Sequence, residues 1–128
     1  TSYIKKEKLT NIEQLGYPQL FRLYCFLKTT TKDPPLIIDS KDLLHCPKKM
    51  LMQLCKKVKI PFYNCMLEWP KGLRKTDGLW GKHWYSKVSQ STGFQKYKTK
   101  KEFCSSEHAD ILENCLVYYN KLYIFRMR

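Results

Sequence analysis

The sequence is poor in acid, poor in glycine and without a self-sufficient catalytic signature. Asp and Glu number 11 against 24 Lys and Arg, a formal net charge of +13 over 128 residues, and glycine occurs five times. No run approaches the roughly 18 apolar residues needed to span a bilayer. The opening TSYIKKEK has no apolar core of the kind a signal peptide carries. The six cysteines (Cys25, Cys46, Cys55, Cys65, Cys104, Cys115) include no CxxC pair, and no histidine stands at ligand spacing from two of them. That excludes the common zinc frameworks, and the expected metal content is none. There is no Asn-x-Ser/Thr acceptor site for glycosylation. Together with helical positions for Cys25, Cys55 and Cys115, this points away from a secreted disulfide scaffold and towards reduced thiols and a cytoplasmic location. Neither an internal repeat nor a low-complexity segment is present.

What remains is a chain that should fold. Apolar residues make up 43% and aromatics 14%, too much for a disordered polymer, and the length suits one domain. The first residue is Thr1 rather than a methionine, which implies a processed start or a segment of a longer protein.

Thr10-Asn11-Ile12-Glu13 has the form of a capping box, and Leu15, Leu20, Leu23, Tyr24 and Leu27 recur at helical spacing, predicting a helix over about 17–30. Pro34-Pro35 stops it. Leu36-Ile37-Ile38, ending at Asp39, is short, branched and apolar, as a strand buried on both faces would be. A short helical turn over 40–46 follows. Pro47 then opens a helix whose apolar stripe is Met50, Leu51, Leu54, Cys55 and Val58, with Lys48, Lys49, Lys56 and Lys57 on a solvated face. A last helix runs from about Ser105 towards Lys121, with Ile111, Cys115, Tyr119 and Leu122 on its inner side. Helix, buried strand, helix is the order of a parallel α/β sheet. A lone buried strand would leave its backbone unpaired, so the expectation is that residues preceding Thr1 supply its neighbours.

Charge is concentrated. Residues 71–101 hold nine cations, Lys71, Arg74, Lys75, Lys82, Lys87, Lys96, Lys98, Lys100 and Lys101, against Asp77 alone, a net of +8. Inside that interval DGLWGKHWYSKVSQSTGF mixes three glycines, two tryptophans and a tyrosine without helical or strand period. Such a mixture suits phosphate or sulfate groups, an anionic membrane face or nucleic acid.

The blocks GYPQLFRLYCFL, PLIIDSKDLLHCP, LCKKVKIPFYNCMLEWPKG, DGLWGKHWYSKVSQSTGF and ENCLVYYNKLYIFRMR, taken in order, resemble the C-terminal half of the P-loop sulfotransferase-like family, in the branch that includes branched-chain aminotransferase-like proteins. The resemblance covers about Leu15 to Arg126 and is most specific where DG-x-W, WY and STGF succeed one another. It implies a three-layer α/β fold with a parallel sheet flanked by helices. Residues 1–128 would be the C-terminal half of one such domain, and the strand at about 35–39 one member of its sheet.

It also implies 3′-phosphoadenosine 5′-phosphosulfate (PAPS) as donor and a hydroxyl or amine acceptor. No GxxxxGK[ST] or shorter glycine-serine phosphate loop occurs in this sequence, so that half of the donor site is expected upstream. Arg74-Lys75, Gly78, Trp80 and Lys82 are similar to the RKGxxGDW stretch that closes on the 3′-phosphate, which makes these five the expected cofactor-binding residues. The likeness carries a one-residue difference in spacing, with Leu79 where the pattern has aspartate and Gly81 where lysine is expected. A planar guanidinium holds two phosphate oxygens, glycine admits backbone amides, and tryptophan steadies the loop or faces the adenine.

Other residues have competing roles. His83 is the only histidine in the loop block and the candidate base; His45 and His108 read as structural. Trp80, Trp84 and Tyr85 anchor a loop or stack on a base. Ser91-Thr92-Gly93 makes a turn or binds an anion. Asp39 faces a site at a strand end or caps the turn that follows. Two other functions fit the composition: a basic nucleic-acid or polyanion binding module, which the absence of a nucleic-acid fold signature disfavours, and a sulfotransferase-like interaction protein without catalysis.

Overall fold

A computed structural model describes residues 11–99 and 108–128. The helices are α1 (Tyr17–Thr30), α2 (Ser40–His45), α3 (Pro47–Lys57), α4 (Gly81–Trp84) and α5 (Ala109–Tyr123), with short 3-10 turns at Ile12–Leu15, Asn64–Met66 and Lys75–Asp77. The chain divides into two compact units, one formed by residues 1–39 with 99–127 and the other by residues 40–98 with Arg128.

In the first unit, the cap forms one residue later than the sequence suggests. Asn11 accepts the Glu13 N–H at 3.0 Å, while the Asn11 N–H donates to the Gln14 side chain at 3.1 Å. α1 then begins with Pro18 in its first turn, where a missing N–H costs nothing, and Pro18 is fully buried. Tyr24 of α1 and Cys115 and Leu122 of α5 are the buried apolar residues here. An aromatic seam joins the two helices: Phe21 against Tyr118 with centroids 5.9 Å apart, and Tyr24 stacked on Phe125 at 5.4 Å. Lys121 lies over Phe21 at 5.2 Å and Lys28 over Phe125 at 4.5 Å, so cations cover ring faces left at the edges. Leu20, Leu23 and Phe26 remain more than half exposed. The start of the last predicted helix, Ser105, lies outside the described residues, as does Cys104.

The expected three-layer α/β fold is not what forms. Among the described residues the structure is helical, and the only β pairings are two isolated bridges. Leu36 to Asp39 forms no strand; Ile37 makes a single parallel bridge to Arg126, with the Met127 N–H donating to the Ile37 carbonyl at 2.8 Å. Pro34 and Pro35 offer no N–H, and α2 begins at Ser40, so few rungs are possible. Burial on two faces also fails: Leu36 and Ile38 are 41% and 37% exposed, while Asp39, just before α2, is buried.

Asp39 is held by Tyr119, whose hydroxyl donates to Oδ2 at 2.8 Å. Tyr119 stacks on Tyr123 at 5.3 Å, and the Arg126 guanidinium sits 3.5 Å from the Tyr123 ring centre. Burial, and then the Asp39 hydrogen bond and charge, push the Tyr119 hydroxyl well above the usual tyrosine range.

In the second unit, Met50 and Cys55 of α3 are buried, Leu51 and Leu54 are half-buried, and the four lysines of the opposite face are exposed. Val58, the last of the predicted stripe, is 47% exposed. α3 stops without glycine. Lys59 takes the left-handed conformation (φ 59°), and Ile60 and Lys59 donate back to the carbonyls of Cys55 and Lys56. Cys55 Sγ lies 3.9 Å from Met66 Sδ. Cys25, Cys46 and Cys65 are free and exposed, Cys55 and Cys115 free and buried, so only the latter pair act as apolar filling. Among the described residues no helix is long and apolar enough to cross a membrane, and no group of three or more His, Cys, Asp and Glu gathers.

The Asp39–Tyr119 contact yields a stability prediction. Tyr119→Phe leaves a buried carboxylate short of a donor and should cost about 1–3 kcal/mol in urea unfolding at neutral pH. Because the folded-state pKa is raised, this contribution is complete below the unfolded tyrosine value of 10.0 and is lost only as pH rises beyond it. Equal midpoints for wild type and Tyr119→Phe at pH 7 would show that the bond is not stabilising.

Candidate anion-binding loop

The basic block of the second unit is a closed excursion with a stem and a head. At the stem, Glu68 and Gly93 form an antiparallel bridge, the Trp69 N–H donates to Thr92 at 3.0 Å, and the Gly72 N–H donates to Ser89 at 2.8 Å. Gly93 allows this approach, since a Cβ there would lie 3.1 Å from the Leu67 carbonyl oxygen. Side chains lock the same place. The Trp69 indole N–H donates to Ser91 Oγ at 3.1 Å, Ser91 donates to the Val88 carbonyl at 2.7 Å, and Trp69 meets Phe94 edge to face at 5.4 Å.

The head, residues 73–88, is knotted around Asp77. Asp77 Oδ2 accepts the Arg74 backbone N–H at 2.7 Å, and the Asp77 N–H donates to the Arg74 carbonyl at 3.1 Å. Gly78 follows at φ 69°, with open space where a Cβ would stand. Gly81 opens α4 and is buried; a Cβ on it would sit 3.1 Å from Asp77 Cβ and 3.6 Å from the Tyr85 ring. Glycine at this position thus has a packing reason.

The structure brings Arg74, Lys75, Gly78 and Trp80 onto one short turn. Arg74 and Lys75 are exposed, and neither has a carboxylate ion-pair partner among the described residues. Trp80 is 72% and Leu79 88% exposed, so Trp80 does not serve as a core anchor, and Tyr85 is 41% exposed. Lys82 lies in α4, but its side chain, like that of Trp84, is outside the described set. His83 is exposed, with its ring 6.4 Å from that of Trp80. Ser91 and Gly93 are part of the stem. Asp39 belongs to the other unit. His45 lies against Tyr97, centroids 5.2 Å apart, as a structural histidine would.

Two features escaped the sequence reading. One is the bracing of Trp69 by Ser91 and Phe94, which lie 22 and 25 positions on, too far for local pattern to pair them. The other is an open groove of about 930 Å³ beside the stem, whose lining includes Pro47, Lys48, Glu68, Trp69, Pro70 and Phe94.

With this geometry established, comparison with known proteins defines the class: a family model described as a sulfotransferase domain matches residues 27–125, and the chain belongs to that family. It is 36% identical over 116 residues to branched-chain-amino-acid aminotransferase-like protein 2 of Arabidopsis thaliana, covering 88% of this chain and 20% of that one. Protein 1 of the same name and organism is 37% identical over 112 residues, covering 85% and 20%. The chain therefore spans about a fifth of the length of these relatives. No solved structure gives a significant match.

Gly81 supplies a test of the head. A valine there must displace Asp77, and overpacking of this kind costs about 1–3 kcal/mol. Trypsin should then cut after Arg74 or Lys75 in Gly81→Val about tenfold faster than in wild type, since cleavage follows local opening. Equal cleavage rates would show that Gly81 does not hold the head.

Proposed function

We propose that the chain is part of a PAPS-dependent sulfotransferase, and that the head of the 68–93 excursion covers the 3′-phosphate of the donor. The supporting observation is the pairing of two exposed, unneutralised cations, Arg74 and Lys75, with the open glycine Gly78 on a turn already fixed by its own hydrogen bonds. Those residues fit a phosphate. The guanidinium offers a two-pronged donor set, the ammonium adds charge, and Gly78 leaves its backbone open to approach.

The donor, when bound, supplies the sulfuryl group and leaves as the adenosine bisphosphate. This chain's residues bind and orient it. Arg74 and Lys75 hold the phosphate, and Trp80, presented 72% exposed on the same turn, is placed to cover an adenine ring or shed water from it. By sequence, Lys82 at the start of α4 is a further candidate cation for the donor. In this reading residues 1–128 are the C-terminal half of a single sulfotransferase-like domain, and the acceptor is a hydroxyl or amine. The base that takes the acceptor proton is assigned to no residue here.

A hydrogen bond to a charged partner is worth about 1.5–3 kcal/mol. Arg74→Ala in the full-length encoded protein should therefore weaken binding of 3′,5′-adenosine bisphosphate by about tenfold or more in calorimetric titration. Unchanged affinity would remove the loop from the donor site. Binding to RNA or heparin on a steep salt slope, with no adenine-nucleotide dependence, would favour the polyanion module instead.

A further inference from the structure

Asp77 is the only acid among the nine cations of residues 71–101. In that setting an ion pair is the ordinary expectation, yet no described cation forms one with it. Its carboxylate turns instead to the main chain, with Oδ2 2.7 Å from the Arg74 nitrogen, while its own N–H returns a bond to the Arg74 carbonyl. Arg74 is held extended at φ −94° and ψ 153°. Behind Asp77, the crowding at Gly81 leaves no slack, since even a methyl there would press on Asp77 Cβ at 3.1 Å.

We propose that Asp77 is the positioning residue of the phosphate-binding loop: it clamps the Arg74 amide, fixing the backbone from which Arg74 and Lys75 project, without neutralising either cation by contact. This rests on the reading that Arg74 and Lys75 hold the donor's 3′-phosphate. Asp77 then acts on the anion in two opposed ways. Its hydrogen bond favours binding by holding the turn, and its negative charge opposes binding through space.

Three variants of the full-length encoded protein separate these effects, read as the dissociation constant for 3′,5′-adenosine bisphosphate at low salt and at 1 M salt. Asp77→Asn keeps an acceptor oxygen and loses the charge. It should bind about threefold more tightly than wild type at low salt and equal it at 1 M, where the screening length is only about 3 Å. Asp77→Ala loses both, and should be about fivefold weaker than wild type at 1 M, the usual cost of a lost capping bond. At low salt its deficit should shrink, because removal of the charge offsets it. Asp77→Glu keeps the charge but carries the acceptor one methylene outward, and should bind more weakly at both salt concentrations. It also serves if the alanine variant does not fold.

A residue with a purely electrostatic role would show Asn and Ala tightening equally. One with a general structural role would show all three losing affinity in step with melting temperature. Either pattern overturns the proposal while leaving the donor site standing, provided that Arg74→Ala weakens wild-type binding. If wild type fails to bind the nucleotide, or Arg74→Ala binds as well as wild type, the donor-site reading and the role of Asp77 fall together.

Discussion

The excursion at 68–93 depends on its closure, where Trp69 is tied to Thr92 by the backbone and to Ser91 through its indole N–H. Bringing together the ends of a loop of some twenty residues costs about 3 kcal/mol in chain entropy beyond a constant. One hydrogen bond, with a net worth of about 0.5–1.5 kcal/mol, is too small to offset that. The two backbone bonds, the indole bond and the Trp69–Phe94 ring pair together supply about 2–6 kcal/mol, the same size as that cost, so the stem depends on all of them acting together. With the stem closed, the head needs only short-range contacts, and the Asp77 clamp and the space at Gly81 supply them. If the head binds an anion as proposed, its preformed shape favours affinity, because a site that must be ordered on binding loses affinity to the ordering.

The other unit solves a different problem. Its aromatic seam pairs Phe21 and Tyr24 of α1 with Tyr118 of α5 and with Phe125 just beyond it, with Lys28 and Lys121 laid over rings. Tyr119 satisfies a buried Asp39 just before α2. Leu20, Leu23, Phe26, Leu36 and Ile38 stay substantially exposed beside this seam.

α1 and α3 were legible in the sequence because each carried a start chemistry that acts locally, whereas α4 falls in the stretch without a helical period. Pro18 and Pro47 open α1 and α3, Pro34-Pro35 closes the first stretch, and Met50 to Cys55 repeats at helical spacing. The strand reading of Leu36 to Asp39 failed because an apolar, branched run specifies extended backbone but not the partner that makes it a ladder, and here a single rung to Arg126 forms. The end of α3 was legible from Ile60-Pro61-Phe62, but its left-handed turn at Lys59 was not, since lysine there gives no glycine signal. In the loop, residue types suggested anion chemistry and the structure gathers Arg74, Lys75, Gly78 and Trp80 on one turn. What could not be read was the brace, because Trp69, Ser91 and Phe94 meet only in three dimensions, and the role of Asp77, because a lone acid among cations looks like an ion-pair partner until its hydrogen bond is seen.

The loop joins these levels: closure sets the stem, the stem sets the head, and the head sets where two cations stand. Hydrogen–deuterium exchange of the full-length protein, with and without 3′,5′-adenosine bisphosphate, tests that order most directly. The amides of Trp69 and Gly72 should be protected before ligand is added, and nucleotide should add protection to residues 74–83 alone within the excursion. Rapid exchange at Trp69 and Gly72 in the free protein, or no change at 74–83 on saturation, would contradict it.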